Sequence, residues 1–253
     1  RCPAGHSYDI AREGYTYLLP PNQKHSAAPG DDKGMAAARR EFLSKGYYAP
    51  LLNTLCNEIL ARSGPEAAIL DAGCGEGYYT QGLFQALAQA GRAPELAGVD
   101  ISKFALRRAA KRIPQGEFAV ASVYRLPLAA RSVDLVTNIF SPLAAEEFAR
   151  VLRPGGLFCY VVPSARHLWE MKEILYPVPY ENPVKREDYP GFDWVGAEQV
   201  RYGLHLDRPE DIMALFRMTP YAWKTPREGI KRLSSLSQID TQIGFDIHLY
   251  RRE

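Results

Sequence analysis

The stretch Ala68-Ile-Leu-Asp-Ala-Gly-Cys-Gly-Glu-Gly-Tyr-Tyr-Thr80 decides the fold. Its apolar start, Ala68 to Leu70, reads as a buried parallel strand, and Asp71 ends it. Gly73, Gly75 and Gly77 make a G-x-G-x-G turn, and a helix opens at Tyr78. Glycines let backbone N–H groups come close to a ligand, and the helix N-terminus adds partial positive charge. A second acid, Asp100, closes the next apolar run, Glu95 to Ile101. In nucleotide-binding α/β folds an acid at that place accepts hydrogen bonds from ribose hydroxyls.

The spelling D-x-G-C-G-x-G resembles the cofactor loop of class I methyltransferases, which bind S-adenosylmethionine. The resemblance places the strand-end acid, Asp71, near the cofactor's ammonium group. Two features speak against a nicotinamide cofactor. The glycines are spaced G-C-G-x-G rather than G-x-G-x-x-G, and Asp71 precedes the first of them. By the same likeness Ala121-Ser-Val123 flanks the adenine, and Asn138-Ile-Phe-Ser-Pro142 faces the methyl group and its acceptor. Methyl transfer is an in-line displacement that requires alignment and exclusion of water, and it requires no metal.

Outward from the loop, the chain alternates. Helices are expected at about Gly34–Lys45, Pro50–Arg62, Tyr78–Ala90, Lys103–Arg112 and Ala144–Leu152. Strands are expected at Glu117–Ala121, Ser132–Phe140 and Leu157–Val162, with Arg153-Pro-Gly-Gly156 as a turn. The pattern predicts an α/β, Rossmann-like, doubly wound and mostly parallel seven-stranded sheet. Beyond Pro163 come a helix (His167–Tyr176), a proline-rich loop (Pro177–Pro190), a strand (Glu198–Leu206), a helix (Pro209–Met218) and a last strand (Gly244–Tyr250). The two late strands fit an antiparallel hairpin closing the sheet.

The 253 residues, with 46% hydrophobic and 24% charged, suit one large α/β domain plus an appendage. The expected division is residues 1–33 as an appendage, 34–63 as linker helices and 64–253 as the catalytic domain. No apolar run reaches the roughly 20 residues of a membrane span. With no signal peptide evident, a cytoplasmic location is expected. A net charge of +2 permits a nucleic-acid partner without requiring one. The four cysteines are scattered, unlike a disulfide framework.

Cys2 and His6 form half of a zinc site, which needs four ligands. Either a Cys-x2-Cys knuckle precedes residue 1, or the pair is incidental. Lys24, His25, Arg39 and Arg40 are candidate RNA contacts in the appendage. The basic helix Lys103–Arg112 is more often a solvated face than an RNA patch. Phe140, Trp169, Trp194 and Trp223 are candidates to stack on a base.

The whole chain resembles the 23S ribosomal RNA (guanine-N1) methyltransferases, which join an N-terminal zinc ribbon to a class I methyltransferase domain. The most specific matches are Cys2 to Tyr15, Pro29-Gly-Asp31, Ala38 to Leu43, Asp71 to Tyr79, Arg166-His-Leu168 and Met218 to Trp223. The resemblance implies cofactor contacts from Tyr48, Asp71, Gly73, Gly75, Glu76, Asp100, Asn138 and His167. It implies structural zinc with Cys2 and His6 as two ligands, although the first knuckle is missing here. It also implies a homodimer whose cleft grips an RNA hairpin. Some members protect ribosomes from macrolides. The catalytic group is not fixed; Asn138 and His167 are the candidates. The Asn/Asp-Pro-Pro-Tyr/Phe motif of exocyclic-amine methyltransferases is absent after the fourth strand, which disfavours N6-adenine and N2-guanine chemistry. A small-molecule methyltransferase and a non-catalytic RNA-binding factor are the rival readings.

Overall fold

The structure, a computed structural model, describes residues 5, 7–19, 32–183 and 188–253. The elements run β1 (Tyr15–Tyr17), α1 (Lys33–Ser44), α2 (Ala49–Arg62), β2 (Ala68–Ala72), α3 (Tyr78–Gln89), β3 (Glu95–Asp100), α4 (Lys103–Arg112) and β4 (Glu117–Val120). Next come β5 (Val133–Ile139), α5 (Ala145–Val151), β6 (Leu152–Pro163), α6 (Trp169–Leu175) and β7 (Phe192–Leu206). The chain then forms α7 (Pro209–Arg217), α8 (Tyr221–Lys224), α9 (Arg227–Ser234) and β8 (Ile239–Arg252).

The described strands form one sheet in the order β1-β4-β3-β2-β5-β6-β8-β7. Pairing is parallel from β1 through β6 and antiparallel for β6–β8 and β7–β8. β2 is buried along its whole length, as a central parallel strand covered on both faces must be. After β2 the chain builds outward first on one side (β3, β4) and then on the other (β5, β6). The carboxyl ends of β2, β3 and β5 therefore frame the crevice where such sheets bind ligands. Two buried clusters fill the faces. One joins α1, α2, α3 and the late helices around Leu51, Ile69, Leu106 and Phe245. The other is centred on Leu70, Phe148, Phe158 and Tyr250.

Among the described residues the sheet has eight strands, not the seven expected. The additional one is β1, whose Tyr15, Thr16 and Tyr17 pair with Phe118, Ala119 and Val120. The turn expected at Arg153–Gly156 is instead a bulge within β6. Leu152 pairs with Val133 and Leu157 with Leu135, so the intervening residues loop out. β7 starts at Phe192 and β8 at Ile239, both earlier than expected. The helix at His167–Tyr176 begins only at Trp169, because Leu168 sits in left-handed backbone at φ 56°. Helices α8 and α9 are short and went unread.

The linker helices are bound into the domain. Asp211 on α7 is buried, pairs with Lys45, and accepts the Tyr47 hydroxyl at 2.7 Å. Tyr202 on β7 donates to the Tyr47 carbonyl at 2.6 Å.

Candidate active site

The glycine turn lies at the carboxyl end of β2, as read. Gly73 and Cys74 donate to the Val99 carbonyl at 2.7 and 3.1 Å, and Gly75 donates to Asp100 Oδ2 at 2.9 Å. Asp100 Oδ1 accepts from the Ser102 N–H at 2.7 Å. Gly73 has φ 84°, and a Cβ there would fall 1.9 Å from Ser141 Oγ. Gly77, at φ 82°, precedes α3, and a Cβ there would fall 3.0 Å from Ala109 of α4.

Asp71 stands beneath this turn rather than in it. It is buried, taking the Thr80 hydroxyl at 2.5 Å on Oδ2 and the Thr137 hydroxyl at 3.0 Å on Oδ1. Burial pushes its pKa up to about 6 against the lowering effect of the two hydroxyls, and the Asp100 charge adds to the rise.

Above the turn opens a cleft of about 1070 Å³. Its floor is Gly73, Cys74 and Gly75. One wall is Asp100 and Ile101 with Ala121–Arg125, and the other is Ile139–Pro142 with Tyr160–Pro163. Met35, Arg39 and Leu43 of α1, Tyr48 before α2, and the segment Met218–Tyr221 with Trp223 close it from the far side. Of the expected cofactor residues, Tyr48, Gly73, Gly75, Glu76, Asp100 and His167 all line this one cleft. The expected adenine segment Ala121–Val123 lines it as well.

Tyr48 is buried edge-on to Phe42 and Phe245, at 5.2 and 4.9 Å between ring centres. His167 packs on Phe245 at 4.7 Å. Its Nδ1 accepts the Gly244 N–H at 3.3 Å, so Nε2 carries the ring proton. Burial, reinforced by the nearby Lys172 ammonium, pushes its pKa down to about 3. His167 is therefore a neutral donor and a poor base.

Glu76 is buried with Oε2 on Arg112 at 3.0 Å, while its Oε1 has no hydrogen-bond partner among the described residues. Burial raises its pKa, opposed by Arg112, Arg108, Arg39 and Arg40. An unmet acceptor, a Gly-rich cradle and Asp100 beside the same cleft fit a zwitterionic nucleoside such as S-adenosylmethionine.

Asn138 is placed otherwise than expected. Its amide is fully buried and donates to the carbonyls of Ala72 at 3.0 Å and Pro142 at 3.2 Å. It does not line the cleft. It holds the loop after β5 in shape, and that loop turns Phe140 outward into left-handed backbone at φ 53°. Left-handed backbone is costly for a non-glycine residue and persists where the surroundings enforce it.

The aromatic candidates divide. Phe140 and Trp223 line the cleft and are 43% and 68% exposed. Trp169 instead lies against Arg166 at 4.3 Å and donates to Glu173, and Trp194 packs on Tyr250 at 5.1 Å, both away from the cleft.

The basic helix α4 is in part the solvated face expected, with Lys103, Arg107 and Lys111 exposed, but its arginines are also engaged. Arg107 pairs with Glu13, Arg108 donates to the Ala36 carbonyl at 2.7 Å, and Arg112 holds Glu76. These arginines brace the N-terminal segment and α1 against the glycine turn. Cys2, His6, Lys24 and His25 lie outside the described residues. Among the described residues no three His, Cys, Asp or Glu side chains gather as a metal set.

Residues 69–156 match the methyltransferase domain family, and residues 1–27 match the zinc-ribbon family described as "RlmA, N-terminal". A Streptomyces fradiae 23S rRNA (guanine(748)-N(1))-methyltransferase is 34% identical, over 94% of this chain and 85% of its own. A Micromonospora griseorubida protein whose name assigns guanine-N1 activity provisionally is 36% identical over the same shares. The chain belongs to the 23S rRNA (guanine-N1) methyltransferase family. Among solved structures, the Bacillus subtilis YcgJ protein superposes with a TM-score of 0.51 at 17% identity, covering 80% of this chain and 97% of its own. That likeness concerns the fold alone.

The family reading had named Tyr48 and His167, which the cleft brings together. Sequence reasoning missed Tyr79 as a cleft residue, and it assigned Arg39 to RNA. Tyr79 directly follows Tyr78 in the opening turn of α3, so its position beside the glycine turn was available as a signal. The placement of Arg39 depends on how α1 folds over the sheet, which no local pattern carries.

Proposed function

We propose that this chain methylates N1 of a guanine in a 23S rRNA hairpin, using S-adenosylmethionine. The observation that carries the reading is the extent of the family relationship, which runs through the N-terminal segment as well as the catalytic fold. The cleft supports it.

S-adenosylmethionine, when bound, supplies a methyl group on a sulfonium centre. Asp100 accepts from the ribose hydroxyls, with its carboxylate already oriented by the Gly75 and Ser102 N–H groups. Glu76 Oε1 meets the ammonium group. The neutral Nε2–H of His167 and the hydroxyl of Tyr48 donate at the cleft wall. Asp71 holds the turn from below through Thr80. Phe140 and Trp223 offer π-faces to an extruded guanine at the cleft mouth, and Asn138 fixes the loop that presents Phe140. Neither Asn138 nor His167 is built to take the guanine N1 proton, since one is a primary amide and the other is held neutral with Nδ1 engaged.

The N-terminal segment, residues 1–33, contributes to RNA recognition and holds zinc with Cys2 and His6 as ligands, the linker spans 34–63, and the catalytic domain spans 64–253. The enzyme acts in the cytoplasm as a homodimer and alters macrolide susceptibility. No helix among the described residues is long and apolar enough to cross a membrane.

The test is incubation with labelled S-adenosylmethionine and either unmodified 23S rRNA fragments or a pool of small metabolites. Label at guanine N1 is expected. Label confined to small molecules would favour the metabolic methyltransferase reading. No transfer in either arm, with RNA still bound, would favour a non-catalytic factor.

A further inference from the structure

Arg39 of α1 reaches across to the glycine turn. Its Nη1 lies 3.8 Å from where a Cβ on Gly75 would stand, and its Nη2 donates to the Met218 carbonyl at 3.3 Å. It lines the cleft at the start of α3, a twelve-residue helix whose N-terminus faces the same space. Beside it, the Tyr79 hydroxyl is buried and has no hydrogen-bond partner among the described residues, although Tyr79 lines the cleft. Tyr48 stands close enough to Tyr79 and Arg39 to interact electrostatically with both. A guanidinium, an orphan phenol and a helix N-terminus thus converge on one end of the cleft, and each favours an anion. The neighbouring Glu76 has its ion-pair partner in Arg112 and keeps Oε1 for a cation.

We infer that Arg39 and Tyr79 bind the carboxylate of an amino-acid tail, namely that of S-adenosylmethionine, with Glu76 Oε1 taking its ammonium group. This rests on the cofactor reading above and assigns Arg39 to the cofactor rather than to RNA phosphate. A planar guanidinium matches a carboxylate fork, and the phenol adds a third donor. The arrangement also makes the linker helix part of the cofactor site. Arg39 can engage the tail only when α1 is docked against the glycine turn and the Met218 segment.

The test measures binding of S-adenosylhomocysteine and of 5′-methylthioadenosine, which lacks the amino-acid tail, by calorimetry. The proteins are the wild-type chain, Arg39→Met and Tyr79→Phe. Loss of a charge-assisted contact predicts that Arg39→Met weakens S-adenosylhomocysteine by roughly ten- to a hundredfold and leaves methylthioadenosine within about twofold. Tyr79→Phe removes one hydroxyl without disturbing the fold and is expected to weaken only the tailed ligand, by roughly three- to tenfold. Equal weakening of both ligands by both variants would overturn the proposal in favour of a structural role. Unchanged S-adenosylhomocysteine binding with weakened RNA binding would overturn it in favour of phosphate recognition. If the wild-type chain binds neither nucleoside, the cofactor reading itself falls, and this inference with it.

Discussion

The Gly75 amide donates to Asp100 Oδ2 at 2.9 Å, so the acid that ends β3 shapes the glycine turn before any ligand arrives. Asp100 therefore has two tasks that a substitution can separate. Asp100→Asn keeps an oxygen for Gly75 and loses the charge, whereas Asp100→Ala loses both. Affinity for S-adenosylhomocysteine, measured by calorimetry, is expected to fall roughly tenfold in the first and a hundredfold or more in the second. Normal binding by Asp100→Ala would show the ribose assignment to be wrong.

Gly73 is locked by its neighbour. Gly73→Ala places a methyl group in Ser141 Oγ and keeps a left-handed backbone that alanine resists. The expected cost is about 1–2 kcal/mol for the backbone and roughly 1–3 kcal/mol for the overlap. Adding Ser141→Gly should restore only the second part. Urea denaturation of the single and double variants reads the difference. A full rescue would mean that the backbone term is absent.

Two buried titrating groups give opposite pH slopes to stability. Asp71 has its pKa raised to about 6 in the folded chain, from about 3.9 unfolded. Its contribution is complete below about pH 4 and lost as pH rises through 6. His167 is lowered to about 3, from about 6.5 unfolded. Its contribution is complete above about pH 6.5 and is lost as pH falls toward 3. Relative to wild type, Asp71→Asn should gain roughly 2–3 kcal/mol between pH 4 and pH 7. His167→Gln should gain roughly 3 kcal/mol on going the other way. Denaturation series at several pH values check both, and a flat difference from wild type would refute the corresponding assignment.

Phe140 and Trp223 are expected to matter for the acceptor and not for the cofactor. Phe140→Ala and Trp223→Ala should each lower kcat/KM on an rRNA hairpin by about 5- to 100-fold, the range of one lost base-stacking contact. Binding of S-adenosylhomocysteine should stay within about twofold. Trp169→Ala, whose ring lies on Arg166 outside the cleft, serves as the control with no effect on transfer.

The central sheet was legible because its signals are local. Apolar runs ending in Asp71 and Asp100, a triple-glycine turn and helices of regular spacing each sit within a dozen residues. Helix α4 was read to the residue for the same reason. What was not legible is what depends on distant partners. The sequence between Asp9 and Pro20 suits a short strand or hairpin, as found at β1, but the pairing of that strand with β4 is not a local signal. β7 carries glycines at 196 and 203 and an irregular pairing near Trp194, which blurred its alternation. In the cleft, Tyr48, Glu76 and His167 were nameable only through the family. Asn138 looked like an acceptor contact from its place at a strand end, yet its NH2 is taken by two backbone carbonyls, and its buried Oδ1 has no partner among the described residues. The arginines of α4 looked solvent-facing because their partners, Glu13 and Ala36, are far away in sequence.

The pairing of Tyr15–Tyr17 with Phe118–Val120 has a bearing on how the protein behaves in solution. A parallel sheet that ended at β4 would present a row of unmet backbone donors and acceptors, the template on which other chains stack into aggregates. The N-terminal segment occupies that row with a strand too short to offer a long new one. Arg107, salt-bridged to Glu13, pins the same segment in place. The stretch that precedes the catalytic fold is thereby also a guard against strand stacking at the β4 edge. Trimming it to obtain a smaller catalytic fragment is expected to lower solubility.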